Sequence, residues 1–201
     1  GMLFELSSGR FRVVATDGHR LALCDAEVPE LNEETQVIVP RKGVMELARL
    51  LGDVEENVSV TVGNNHIRML TADASFTSKL VDGKFPDYDR VVPKGGEKQV
   101  AADREALRQA LARVSILSNE KYRGVRVNLS SGSLALQANN PEEEEAEEEV
   151  SLDYEGDPLE IGFNVSYLLD VLNVMQSSQV NIELGDSNSS ALLKDPDMAE
   201  A

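Results

Sequence analysis

"GMLFELSSGRFRVVA", residues 1–15, aligns without a gap on "GVRVNLSSGSLALQA", residues 124–138. Both stretches run Gly, alternating apolar residues, Leu-Ser-Ser-Gly, then alternation ending in Ala. Met2, Phe4 and Leu6 match Val125, Val127 and Leu129, while Phe11, Val13 and Ala15 match Leu134, Leu136 and Ala138. Apolar residues at every second position on both sides of a Ser/Gly turn predict a β-hairpin with one buried face. The pattern therefore predicts two such hairpins, roughly one domain length apart.

Working outward, the similarity continues. "VSVTVG" (58–63) matches "VNIELG" (180–185), and a helical pattern precedes each. The first, "PRKGVMELARLLG" (40–52), has Pro40 at its first turn and Gly52 at its stop; the second, "NVSYLLDVLNVM" (164–175), has Asn164 as N-cap. Hairpin, helix and strand recurring in one order predict two copies of one α+β domain, since the repeat is too long for a solenoid. A further helix, "DREALRQALARVSIL" (103–117), precedes the second hairpin, with Asp103 as N-cap and Leu107, Ala110, Leu111, Val114 and Leu117 on one face. Its counterpart in the first copy would lie upstream of Gly1, and the counterpart of "FTSKLVDGKFPDYDRVVP" (76–93) would lie beyond Ala201, so the chain is expected to be a fragment.

The totals agree with two modest domains: 201 residues, 41% hydrophobic, no Trp and 4% aromatic. No apolar run approaches the roughly 18 residues of a membrane span. No leader pattern opens the chain, and the single cysteine, Cys24, has no partner within it, which points to a reducing, cytoplasmic compartment. Cys24 follows "HRLAL" and is expected to be a small hydrophobe in a buried strand. The net charge of −17 argues against a nucleic-acid partner, yet seven of the eight residues 142–149, "EEEEAEEE", are Glu, so much of the excess is local. Contiguous Glu does not space oxygens around a Gly turn as a Ca²⁺ loop does, and the run reads as a solvated acidic loop.

"TDGHRL" (16–21) holds Asp17 and one of the two histidines. Acid/base work by His19 requires a partner in hydrogen-bond reach and a substrate pocket, and His66 is too distant in sequence to complete a metal pair. The residues favour a structural turn, with a small hydrolase using Asp17 and His19 as a lesser alternative. No carboxylate cluster for two-metal chemistry, phosphate-cradling Gly loop or nucleophile elbow occurs in the sequence. On residue type alone Tyr122 and Tyr167 read as core aromatics, and the arginines of the helical segments as solvated faces.

Six stretches in order, "VATDGHRLAL", "VIVPRKGVMEL", "FTSKLVDGKFPDY", "ILSNEKYRGVR", "NNPEEEEAEE" and "IGFNVSYLLDVLN", make the chain similar to the bacterial DNA polymerase III β subunit family, the replicative sliding clamps. The resemblance implies an α+β fold of tandem clamp domains, each complete one with two helices backed by antiparallel sheets. It implies most of the middle domain over 1–92, lacking its first strand and helix, and most of the C-terminal domain over 93–201, lacking its last residues. The implied function is that of a non-catalytic processivity factor without metal or other cofactor. Its full-length homodimer closes a ring around duplex DNA, without sequence preference, and docks the polymerase III alpha subunit, the clamp loader and other partners through short peptides; no membrane is involved. A non-encircling peptide-binding adaptor is the main alternative.

Carried over by the resemblance, the peptide groove comprises Thr16, Gly18, His19, Arg20, Leu21, Pro86, Arg90, Val91, Tyr122, Asn164, Tyr167, Asn188 and Ser190, with Asn188 polar where an apolar lining is expected. DNA-facing positions would be Arg41, Lys42, Arg49, Arg104, Arg108 and Arg113. The subunit interface would comprise Ile116, Leu117, Glu142, Glu144, Glu145, Glu147 and Glu148.

Overall fold

The computed structural model describes residues 1–52, 54–142 and 144–198. The chain divides into one compact unit ending at Tyr88 and a second beginning at Asp89, four residues before the boundary expected from the sequence.

The first unit holds β1 (Met2–Ser7), β2 (Arg10–Thr16), β3 (Leu21–Glu27), β4 (Thr35–Val39), α1 (Arg41–Leu51), β5 (Ser59–Val62), β6 (His66–Leu70) and β7 (Ser75–Lys79). The second holds β8 (Lys98–Asp103), α2 (Arg104–Ser115), β9 (Gly124–Ser130), β10 (Ser133–Asn139), β11 (Glu145–Ser151), β12 (Leu159–Asn164), α3 (Val165–Val174), β13 (Gln179–Leu184) and β14 (Leu192–Lys194). A 3-10 turn, Tyr88–Arg90, lies at the junction. The four-stranded sheets have the same order, β3-β2-β1-β4 and β11-β10-β9-β12. The hairpin repeat read from the sequence is thus a repeat of topology.

Both hairpins close through two residues, Ser7 facing Arg10 and Ser130 facing Ser133. Gly9 and Gly132 occupy the left-handed region there, at φ 76° and 78°, which a side chain would make costly.

In the second unit the alternation is buried as expected: Val125, Val127, Leu129, Leu134, Leu136 and Ala138 join Leu107, Leu111, Val114 and Leu172 in one core. Asp103 accepts from the Ala106 N–H at 2.7 Å and Asn164 from the Ser166 N–H at 2.9 Å, so both predicted N-caps form. The predicted apolar stripe ends early: α2 stops at Ser115, Ile116 is exposed and Leu117 is only half-buried.

In the first unit α1 packs through Leu47 in one core with Phe4 and Val39 on one face of the four-stranded sheet and Ile67 and Met69 of the three-stranded sheet β5-β6-β7. Gly43 lets the helix approach β7, because a Cβ there would lie 2.9 Å from the Ser78 hydroxyl oxygen. The opposite face is covered too, contrary to a reading of one buried face: Leu3, Val14 and Arg12 are buried, as is Tyr88. Cys24 corrects another expectation. It is exposed: alternation puts it opposite Val13 on the α1 side, but β3 is the terminal strand of its sheet, so Cys24 lies at the edge.

Candidate functional site

The segment 16–21 is the turn between β2 and β3, and its side chains build it. The Asp17 carboxylate accepts from the backbone N–H groups of His19 and Arg20 at 2.9 and 3.0 Å, and from the Arg20 guanidinium at 3.2 Å. These bonds, that from the His19 N–H foremost, hold its pKa below the usual carboxylate value. The Thr16 hydroxyl donates to the Arg20 carbonyl at 2.8 Å and accepts from the Gly18 N–H, while Gly18 sits at φ 88°. Asp17 is therefore a turn cap that engages the backbone of His19 rather than its imidazole, and the Asp17/His19 hydrolase loses its geometric basis. The result is a rigid turn presenting Thr16, Gly18, His19, Arg20 and Leu21 together. Pro86 is also exposed in this unit.

In the second unit Arg90 and Val91 are exposed, Val91 at 58%. A concavity of about 960 Å³ brings together Tyr122, Asn164 and Asn188 with Arg126, Gln137, Glu145, Glu147 and Glu160. Tyr167 and Ser190 are not among its lining residues. Tyr122 is not a core aromatic: it is 67% exposed, with the Lys121 ammonium 5.1 Å from its ring centre. Tyr167 is half-buried on α3. Asn164 spends its carbonyl on capping α3, leaving its amide N–H groups as donors for a ligand.

Arg123 was missed in the sequence. It is the one non-glycine residue with positive φ among those described, at 50°. Its backbone N–H donates to Asn119 at 2.7 Å, its carbonyl accepts from the Val165 N–H at 2.8 Å, and its guanidinium donates to Ser166 and to the Ser115 carbonyl. These bonds join the end of α2 to the start of α3, next to the exposed Tyr122. The only hint in the sequence is that Gly follows it.

The six basic residues differ in how they are used. Arg104 donates to the Ser177 and Leu172 carbonyls at 2.7 and 2.9 Å, which places its charge on the last turn of α3 and on the segment just after it. Arg108 is paired with Glu105 at 2.5 Å, holding that carboxyl at a pKa of about 2. Arg49 is paired with Glu46 at 2.9 Å, and Arg113 donates to both oxygens of Glu148 at 2.6 and 3.0 Å. Arg41 and Lys42 are exposed at the start of α1 and form no ion pair among the described residues. Arg104 is therefore a structural link rather than a free cation, because bare carbonyl ends and a half-buried guanidinium satisfy each other.

The Glu run is also redefined. Beyond Glu142 and Glu144 it is the terminal strand β11, paired with β10 from Ser133↔Ser151 to Asn139↔Glu145; Glu143 lies outside the described residues. Alternation sends Glu145 and Glu147 to the outer face and Glu148 inward to Arg113. Carboxylates on a terminal strand discourage unwanted strand pairing. Among the described residues no group of three or more His, Cys, Asp or Glu is placed to hold a metal ion.

A family model described as DNA polymerase III beta subunit, central domain, matches residues 1–87, and one described as its C-terminal domain matches residues 89–201. The chain belongs to the DNA polymerase III beta subunit family. The beta sliding clamp of Pseudomonas putida is 64% identical over 196 residues, covering 97% of this chain and 53% of that protein. The crystal structure of the DNA polymerase sliding clamp from Pseudomonas aeruginosa with ligand matches with a TM-score of 0.95 at 58% identity, covering 99% of this chain and 55% of that one. A Pseudomonas aeruginosa sliding clamp bound to griselimycin matches with a TM-score of 0.95 at 59% identity, covering 98% and 54%. The chain thus spans about half the length of the beta subunit relatives it matches. Tandem clamp domains of helices and antiparallel sheets are the architecture of the family and of this chain. No helix is long and apolar enough among the described residues to cross a membrane.

Proposed function

We propose that the chain forms the middle and C-terminal clamp domains of a sliding clamp, a non-catalytic cytoplasmic factor that closes as a homodimeric ring around duplex DNA and tethers the replicative polymerase. The carrying observation is the repeated topology, β3-β2-β1-β4 and β11-β10-β9-β12, in a chain 64% identical to a protein named beta sliding clamp. A ring retains DNA by topology, so a net charge of −17 is compatible with it. Weak, sequence-independent phosphate contacts are enough to offset repulsion, and strong ones would slow sliding. Arg41 and Lys42 are the cations best suited to that task, with Arg49, Arg108 and Arg113 held back by their carboxylate partners. Ile116, Leu117 and the glutamates of β11 suit the subunit interface, the apolar pair as its seal.

Thr16–Leu21 and Pro86, with Arg90, Val91, Tyr122, Asn164, Tyr167, Asn188 and Ser190, form the docking groove for peptides from the polymerase III alpha subunit, the clamp loader and other partners. Each Leu-sized anchor contributes about 1.5–3 kcal/mol on burial. Two or three anchors, less the cost of ordering the peptide, give roughly micromolar and hence exchangeable binding.

A labelled peptide from the C-terminus of the alpha subunit, titrated into this chain, is expected to bind, and His19→Ala and Arg90→Ala to weaken it. In a chain of the relatives' full length, loading onto closed circular DNA should give retention that disappears on linearising the circle. Retention that survives linearisation means adhesion rather than encirclement.

A further inference from the structure

A row of polar side chains crosses all four strands of the first unit's sheet on the face turned away from α1. The strand register places Gln36 beside Glu5, Glu5 beside Arg12, and Arg12 beside Asp25. Arg12, 7% exposed, donates through Nε and a terminal nitrogen to both Asp25 oxygens at 2.6 Å. Its other terminal nitrogen donates to the Tyr88 hydroxyl at 3.4 Å, and that hydroxyl donates to Glu5 at 3.1 Å. Gln36 closes the row on Glu5 at 2.7 Å, and the guanidinium carbon of Arg12 stands 5.8 Å from the centre of the Tyr88 ring.

Replacing a buried ionic group with apolar residues of similar volume is often neutral or stabilising. What such a network adds is geometry, because each group satisfies the next in one arrangement. The arrangement spans two distant segments. Four residues beyond Arg12 on β2, and four before Asp25 on β3, lies the turn of Thr16–Leu21. Two residues before Tyr88 lies Pro86, in a stretch without strand or helix that is tied at its other end by the Val81 N–H to Ile38 at 2.8 Å.

We propose that Arg12 and Tyr88 are positioning residues for partner-peptide docking: through Asp25 and Glu5 they lock the Thr16–Leu21 turn and the Pro86 segment into one geometry. This rests on the peptide-docking reading above, and the test separates the two. Tyr88→Phe keeps the ring and removes only the linking hydroxyl. In this chain it should weaken binding of the peptide from the C-terminus of the polymerase alpha subunit by about 5-fold and raise amide hydrogen exchange in both 17–20 and 82–88. The thermal unfolding midpoint should move by only a few degrees. Arg12→Lys keeps the charge without the fork and should act in the same direction; the double variant should lose no more than the worse single one, because both cut the same link.

Unchanged peptide affinity in Tyr88→Phe, or exchange that rises in only one of the two segments, overturns the proposal. A wild-type chain that fails to bind the peptide defeats the docking reading instead. The exchange data then decide the coupling alone, a rise in both segments supporting it and a rise in one refuting it.

Discussion

Asp195 follows β14 and accepts from the Ser177 hydroxyl and from the backbone N–H groups of Gln176, Ser177 and Asp197. The Ser177 hydroxyl is the main cause of a carboxyl pKa lowered from 3.8 to about 2. A folded-state pKa below the unfolded one means stability fully present above pH 3.8 and lost as pH falls toward about 2. The urea midpoint of the second unit should therefore decline through that window, and Asp195→Asn should flatten the decline; an unchanged slope in the variant would assign the acid sensitivity elsewhere. Asp103 and Asn164 were legible as caps because each stands directly before an apolar-periodic run. Asp195 was not, since apart from the Asp197 N–H its donors, at Ser177 and Gln176, lie 18 and 19 residues upstream, and no local pattern joins them. Arg12 was hidden differently: it stands on the half of the alternation that a one-faced hairpin assigns to water, and one of its partners there, Tyr88, lies 76 residues on.

Between elements, the bond that sequence reasoning misread most is that of Arg104. Helical spacing placed it on the polar side of α2, where an arginine is normally solvated or free for phosphate. The fold brings the end of α3 to it, and the Leu172 and Ser177 carbonyls take its protons. Arg104→Met keeps much of the aliphatic stem and leaves those carbonyls unpaired, at a cost of about 1–3 kcal/mol. The measurement is urea unfolding of the second unit. On the clamp reading proposed above, the same variant in a chain of the relatives' full length should leave the salt dependence of sliding on duplex DNA unchanged, whereas Lys42→Ala should reduce it. The hairpins were legible because apolar alternation is visible in a single strand. The strand β11 was not, because "EAEEEVS" alternates Ala146, Glu148 and Val150 inward, and the inward Glu148 is tolerable only with Arg113 opposite, 35 residues away.

For the molecule as a whole, the same topology is covered by unequal amounts of helix. Two helices, α2 and α3, pack on the second unit's core, where Leu111, Leu136, Leu172 and Val180 are fully buried. Among the described residues of this chain one helix, α1, serves the first, where Met45 is 60% exposed and Val60 and Leu70 also face solvent. Hydrophobic burial is the dominant favourable term opposing chain entropy, so the first unit should open at lower urea concentration than the second. The chain lacks Trp, so hydrogen exchange read element by element is the suitable probe. Amides of β1, β2 and β6 should lose protection while those of β9, β10 and β13 retain it. Leu47→Ala should lower the first transition and Leu172→Ala the second, each by about 2–5 kcal/mol and each with little effect on the other unit. If either substitution moved both transitions together, the two units would be one cooperative body, and their differing cores would no longer set the order of unfolding.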